Sequence, residues 1–221
     1  MNTIFQQLED QTAWFKDRLS AYEQYDEGHE FPWENNLYKS RSFRRAHLDV
    51  VDVRSTKKLY MMHLCIFPHT NDPSPIFGFD LIAGPNKVTG AFHDFSPVGG
   101  DTILDREFAK IVTDYQWSKE RELPEWAKNI FSKHMVAAGN ITDPEELQKV
   151  LDLTKKTTEL YLSCVGDNDH LDHTDKQNYY CYNQKQNPHT PRVMTSLGFT
   201  QGVVDEFISK CLFPEVEKCL C

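Results

Sequence analysis

The sequence predicts an α+β chain, folded as a three-layer α/β/α sandwich around a central antiparallel β-sheet. Three observations carry that expectation. Strand-like segments are grouped first and helical ones later, rather than alternating as βαβ units. The strand-like segments are joined by "RSTKK", "HTNDPSP" and "GPNK", far shorter than the roughly dozen residues a parallel crossover needs. The strands also carry apolar residues on both faces, which calls for helices on both sides.

Taken in order, residues 3 to 24 place Ile4, Leu8, Trp14, Phe15 and Leu19 at the spacing of an amphipathic helix that ends before "DEGHEFPW". "SFRRAHLDVVDV", "KKLYMMHLCIFP", "PIFGFDLIAG" and "KVTGAFHDFSP" follow as a strand meander. Helical character returns from about residue 104 in "REFAKIVTDY" and "LPEWAKNIFSKHM". In "TDPEELQKVLDLTKKTTELYLSCV", Thr142 or Asp143 can cap, Pro144 suits the first turn, and Leu147, Val150, Leu151, Thr154 and Leu160 form a stripe. "GVVDEFISKCLF" reads as a final helix.

The 221 residues are 39% hydrophobic, enough for a core, and carry a net charge of −9. That balance argues against a nucleic-acid partner, which requires a basic footprint. No apolar run approaches a membrane span, and the N-terminal stretch has acids where a signal peptide needs an apolar core, so a soluble, intracellular protein is expected. Cys65, Cys164, Cys181, Cys211, Cys219 and Cys221 form no CxxC pair and read as thiols in a reducing compartment. "DNDHLDHTDK", with His170 and His173, reads as a solvated loop; a zinc hydrolase built on it is a competing reading, and no metal is expected. GxGxxG after a strand, GxxxxGK[ST], HExxH and GxSxG are all missing. An enzyme of this sequence must work with a few acids and histidines.

Alternation sets those on common faces. Val88, Gly90, Phe92 and Asp94 share one face of their strand, Leu59, Met61, His63, Cys65 and Phe67 share one of theirs, and Arg45, His47, Asp49, Val51 and Val53 another. Asp94 has two readings: it opens the turn "DFSP" by bonding nearby backbone N–H groups, or it is an acid against apolar surface, held protonated as a donor. Taken together, His47, Asp49, His63 and Asp94 form a cluster whose members must be paired or neutralised and would titrate as a set.

"AHLDV", "MMHLCIFP", "PIFGFDLIAG", "GAFHDFSP", "LPEWAKNIFS", "YYCYNQKQNPHTPRVM" and "ISKCLFPEV" occur in the order and spacing of one family, over roughly residues 30 to 216. On these motifs the chain resembles the ferredoxin-dependent bilin reductases. The resemblance implies a single domain over residues 1–221, an α/β/α sandwich, and reduction of biliverdin IXα, an open-chain tetrapyrrole. Electrons would come singly from an external [2Fe-2S] ferredoxin, with no cofactor bound in the protein, which would act as a cytoplasmic monomer. Asp94 falls on the family's proton-donating Asp, His63 on the histidine at the lactam end of the pigment, and His47 on a histidine of the same network. Asn187, His189 and Val193 fall on pigment-binding positions.

The departures bear on product. Relatives that form phycocyanobilin carry a Glu where this chain has Asp49, one methylene shorter, and protonation of the D-ring vinyl group tolerates little misplacement. A phage-borne branch with the same Asp forms phycoerythrobilin through 15,16-dihydrobiliverdin, which is the product expected here. Phycocyanobilin is the alternative, and a non-catalytic bilin carrier is the alternative of another class. Pro188 stands in place of a second acid, His189 of a propionate-binding Lys, and Gly139 of a propionate-binding Arg. Lys39, Arg41, Arg44, Arg45, Lys57 and Lys58 are the densest basic stretch and the expected docking site for an acidic ferredoxin.

Overall fold

The computed structural model describes residues 3–217, and its seven strands form one sheet in chain order with every neighbouring pair antiparallel. They are β1 (Glu23–Tyr25), β2 (Glu34–Lys39), β3 (Phe43–Asp52), β4 (Tyr60–Pro68), β5 (Ile76–Ala83), β6 (Val88–Ser96) and β7 (Val136–Ile141). The expected meander is therefore the central part of a longer one. "RSTKK" closes its hairpin as the single helical turn α2 (Arg54–Lys57), ended by Lys58 in the left-handed region at φ 55°.

One side of the sheet is covered by α1 (Ile4–Leu19), α3 (Ile103–Thr113) and α5 (Pro144–Cys164). Thr3 caps α1 by accepting from Gln6 N at 3.2 Å. Asp143, one of the two expected caps, accepts from Glu145 N at 3.0 Å ahead of Pro144. Against these helices β3 to β6 turn Ala46, Leu48, Val50, Met62, Leu64, Ile66, Phe77, Phe79, Leu81, Ala91 and Phe95, all buried. The register shifts between Ile82 and Ala83, and Val88 thereby joins this core instead of the Asp94 face expected from strict alternation.

The other side is covered by α4 (Glu125–Lys128), α6 (Thr174–Gln184), α7 (His189–Ser196) and α8 (Gln201–Glu206), which runs on into a π-helical turn (Phe207–Leu212). "LPEWAKNIFSKHM" is helical only over α4, because the segment must extend to enter β7. Neither α6 nor β7 was legible. The buried face of α6 is largely polar, Thr174, Gln177, Asn183 and Gln184 among Tyr180 and Cys181, so no apolar stripe marks it. β7 reads "VAAGNI", poor in the β-branched and aromatic residues that announce a strand. Cys65, Cys164, Cys181 and Cys211 are free thiols, and Cys219 and Cys221 lie outside the described residues.

Candidate active site

The register builds a row of ionisable groups. Asp49 on β3 is paired with His63 on β4, His63 with Asp80 on β5, and Asp80 with Phe92 on β6, so all four side chains share one face. One step along, His47, Cys65, Gly78 and Asp94 form the parallel row. On this face Met61, His63, Gly78, Asp80, Ile82 and Phe92 are half-buried, whereas the intervening Met62, Leu64, Phe79, Leu81 and Ala91 on the opposite face are buried. The sheet is thus less tightly covered on this side, as a trough roofed by the C-terminal helices, although His47, Asp49, Cys65 and Asp94 of the same face are buried.

Burial keeps the row neutral. Desolvation pushes the Asp49 carboxyl up to about 8, against the opposing effect of the Trp33 indole, which donates to its Oδ1, and with a smaller repulsion from Asp80. Asp80 is pushed up to about 7, mainly by desolvation, with the backbone N–H of Leu81 pulling the other way. His63 is pushed down to about 4 by desolvation, and His47 well below its ordinary value by desolvation, then His63 and Arg45. Near neutral pH His63 is therefore uncharged, and Asp80 exchanges its proton close to pH 7. His47 donates from Nε2 to Asn35 Oδ1 and its ring meets that of His63 edge to face with centroids 6.0 Å apart. Nδ1 of both histidines is buried without a hydrogen-bond partner among the described residues.

Asp94 is placed differently from its sequence reading. The expected cluster treated the strands of His47, His63 and Asp94 as neighbours, but β5 lies between β4 and β6. Asp94 is thus two strand spacings, roughly 10 Å, from β4, and it faces Gly78 rather than a histidine. It is 1% exposed, and both its oxygens are engaged: Ser132 donates from N at 2.8 Å and from Oγ at 2.5 Å, and Ser96 Oγ donates at 2.8 Å. Burial still raises it to about 6, with those bonds pulling it down. Its visible task is to pin the Ser132 loop to β6. Asp80, inside "PIFGFDLIAG", takes the place in the row that Asp94 was expected to fill.

Asn187, His189 and Val193 lie at the α6–α7 corner, where Asn187 Oδ1 accepts from His189 N at 3.0 Å; His189 is exposed and the other two are half-buried. A loop from β1 closes the near end of the trough: Phe31 stacks on Trp33 at 4.9 Å, and Trp33 meets Phe199 and Phe207 edge to face at 5.0 Å each. Concavities of about 460 Å3 and about 360 Å3 lie on either side of Trp33, over the β1–β2 edge and beside the end of β3.

The basic stretch does not form one patch. Arg45 is buried, with Glu27 at 2.5 Å and Cys211 O at 2.8 Å, and Arg44 packs over Phe67 at 4.6 Å while donating to Gln177 at 2.8 Å. Lys39 and Arg41 sit at one end of β3, and Lys57 and Lys58 at the other. Among the described residues no group of three or more His, Cys, Asp or Glu could hold a metal ion, and His173 is bonded to Asp169 at 3.0 Å. No described helix is long and apolar enough to cross a membrane.

Comparison with known proteins agrees with this architecture. A chain solved as PcyX is 33% identical, with a TM-score of 0.67 over 95% of this chain and 97% of that one. Phytochromobilin synthase from tomato, solved in complex with biliverdin, shares the fold at a TM-score of 0.69 and 12% identity, over 93% of this chain and 81% of its own. Phycocyanobilin:ferredoxin oxidoreductase of Prochlorococcus marinus is 32% identical over 197 residues, 85% of this chain and 77% of its own. The corresponding protein of Trichodesmium erythraeum is 28% identical over 196 residues, 85% of this chain and 78% of its own. The family model for ferredoxin-dependent bilin reductase matches residues 1–214. With a sandwich whose central sheet carries Asp49, His63 and Asp80 on one roofed face, and a family match over nearly its whole length, the chain belongs to the ferredoxin-dependent bilin reductases.

Proposed function

We propose that this protein reduces biliverdin IXα to phycoerythrobilin through 15,16-dihydrobiliverdin, taking four electrons from an external [2Fe-2S] ferredoxin and four protons delivered by way of Asp80 and His63. The observation that carries the reading is the cross-strand row Asp49–His63–Asp80 on the half-buried face of the sheet. Each electron arriving on a conjugated tetrapyrrole makes it a stronger base, so the protein has to supply a proton at a chosen carbon, which a neutral carboxyl near pH 7 does well. Asp80 has that carboxyl, and the unpartnered Nδ1 of His63 offers a bond to the substrate or to the proton's path.

Asp49 favours phycoerythrobilin. Its carboxyl is short and one oxygen accepts from Trp33, which ties it to the aromatic loop. His47, Asn187, His189 and Val193 complete the proposed site as second histidine and pigment-facing contacts. The reaction requires no resident cofactor, a single domain and one copy of the chain, and it runs in the cytoplasm, where reduced ferredoxin is available.

The test is anaerobic turnover of biliverdin with ferredoxin and a reducing system, followed by chromatography of the products. Phycoerythrobilin, with 15,16-dihydrobiliverdin appearing first, is expected. Phycocyanobilin as the main product would overturn the reading of Asp49, and no turnover with any plant-type ferredoxin would overturn the mechanism.

A further inference from the structure

Two glycines face each other across β6 and β7, Gly90 paired with Gly139, in the interior of a strand pair where glycine costs conformational entropy and forgoes a packed side chain. Such a pair marks a close approach, and what approaches is Arg121. The chain before α4 lies along β7 with a bridge between Glu120 and Ala138, Arg121 N donating to Ala137 O at 2.8 Å and Gly139 N to Lys119 O at 2.9 Å. From that edge the Arg121 side chain crosses the face of the sheet. A Cβ on Gly139 would lie 2.7 Å from Arg121 Cγ and 2.8 Å from Cδ, and one on Gly90 would lie 3.5 Å from Nη1. The guanidinium ends 5.8 Å from the centroid of Phe92, the half-buried ring that continues the Asp49–His63–Asp80 row.

The bonding of this cation is incomplete. Nη1 donates to Thr89 O at 2.9 Å, and no carboxylate pairs with Arg121 among the described residues, in a chain with nine more acidic than basic groups. Glycine, an aromatic face and one carbonyl therefore fix the arm while leaving most of the planar donor fork unspent at the rim of the trough. A guanidinium so held is preorganised for a carboxylate and loses little rotamer freedom on binding one.

We propose that Arg121, seated in the Gly90–Gly139 notch, is the anchor for a substrate carboxylate at the β6–β7 end of the trough. This rests on the bilin reading above, since a linear tetrapyrrole carries carboxylate side chains on a flat conjugated body. The anchor fixes which end of the pigment faces Phe92 and hence which bridge carbon lies over Asp80.

Absorbance titrations with biliverdin and with its dimethyl ester test the assignment. Wild-type protein should prefer the free diacid, and Arg121→Gln should weaken biliverdin binding about tenfold while leaving the ester unchanged. Gly139→Ala, which removes no charge but fills the notch, should weaken biliverdin in the same direction, and Arg121→Lys should recover part of the loss. Biliverdin affinity unchanged in Arg121→Gln, or an equal loss for diacid and ester, overturns the anchor and leaves the bilin reading intact. Failure of wild-type protein to bind either pigment overturns both.

Discussion

Toward α1, α3 and α5 the sheet presents Leu48, Leu64, Phe77, Phe79 and Phe95, while toward α6, α7 and α8 the same strands present His47, Asp49, His63, Asp80 and Asp94. The first face is close-packed: Phe77 alone meets His93, Phe95 and Tyr161 with centroids 5.0, 5.7 and 5.5 Å away. Even its one histidine is fully spent, His93 donating from Nδ1 to Gly78 O at 2.8 Å and accepting from Thr157 at 2.7 Å. On the second face polar atoms remain unspent at His47 and His63. Polarity does not therefore distinguish a reactive group from a structural one. Saturation does: His93 and Asp94 have all their bonds, whereas His63 and Asp80 are half-buried and His63 keeps an unspent nitrogen.

The largest effect expected from this contrast is at Asp80. Asp80→Asn removes the proton and should lower the turnover rate by 10²- to 10⁴-fold, while biliverdin still binds and turns the protein blue-green. In wild-type protein the rate should fall as pH rises through about 7, where Asp80 loses its proton. Asp94→Asn sharpens the comparison, since it disturbs only the Ser96 and Ser132 bonds. It should cost about 1–3 kcal/mol of stability and change the rate by less than about tenfold. A rate collapse in Asp94→Asn with near-normal Asp80→Asn would invert the assignment.

Phe77→Ala probes the packed face. Loss of this fully buried ring should cost about 3–5 kcal/mol and lower Tm by roughly 6–20 °C, with regiochemistry of the product preserved. Dependent on pH, and smallest at the acid end, is the effect of Asp49→Asn. The folded chain holds the Asp49 proton to about 8, whereas the unfolded chain releases it near the ordinary value of 3.8. Wild-type stability therefore falls as pH rises through that window. Asn keeps an acceptor for Trp33 without the buried charge, so its Tm relative to wild type should rise from pH 5 to pH 8. A difference independent of pH would show that Asp49 ionises freely.

How much of this was legible depends on where the information lies. The sandwich, the central meander and the faces of His47, Asp49 and His63 followed from period and turn chemistry. The Asp49–His63 register was legible too, since both lie equally far from Thr56 at the centre of "RSTKK"; the centre of "GPNK" would pair Asp80 with Ala91, and the register shift between Ile82 and Ala83 moves it to Phe92. That Asp80, not Asp94, lies beside His63 was not legible, because counting from Asp72 at the centre of "HTNDPSP" would pair His63 with Leu81. Saturation of Asp94 by Ser132 was not legible, because the two are far apart in sequence and meet only through the α4–β7 loop. Nor were α6 and the Arg121 notch, since a helix that buries glutamines and a glycine pair that receives a distant arginine leave no periodic trace.

Because the strands follow one another in chain order, Asp49, His63 and Asp80 ride on two consecutive hairpins, while α6, α7 and α8 begin only at Thr174. On the proposed mechanism, proton chemistry and substrate fit thus lie on separate stretches of gene. Substitutions in the roof can re-aim the pigment over an unaltered set of donors, so new product colours are reachable without rebuilding the acid that makes them.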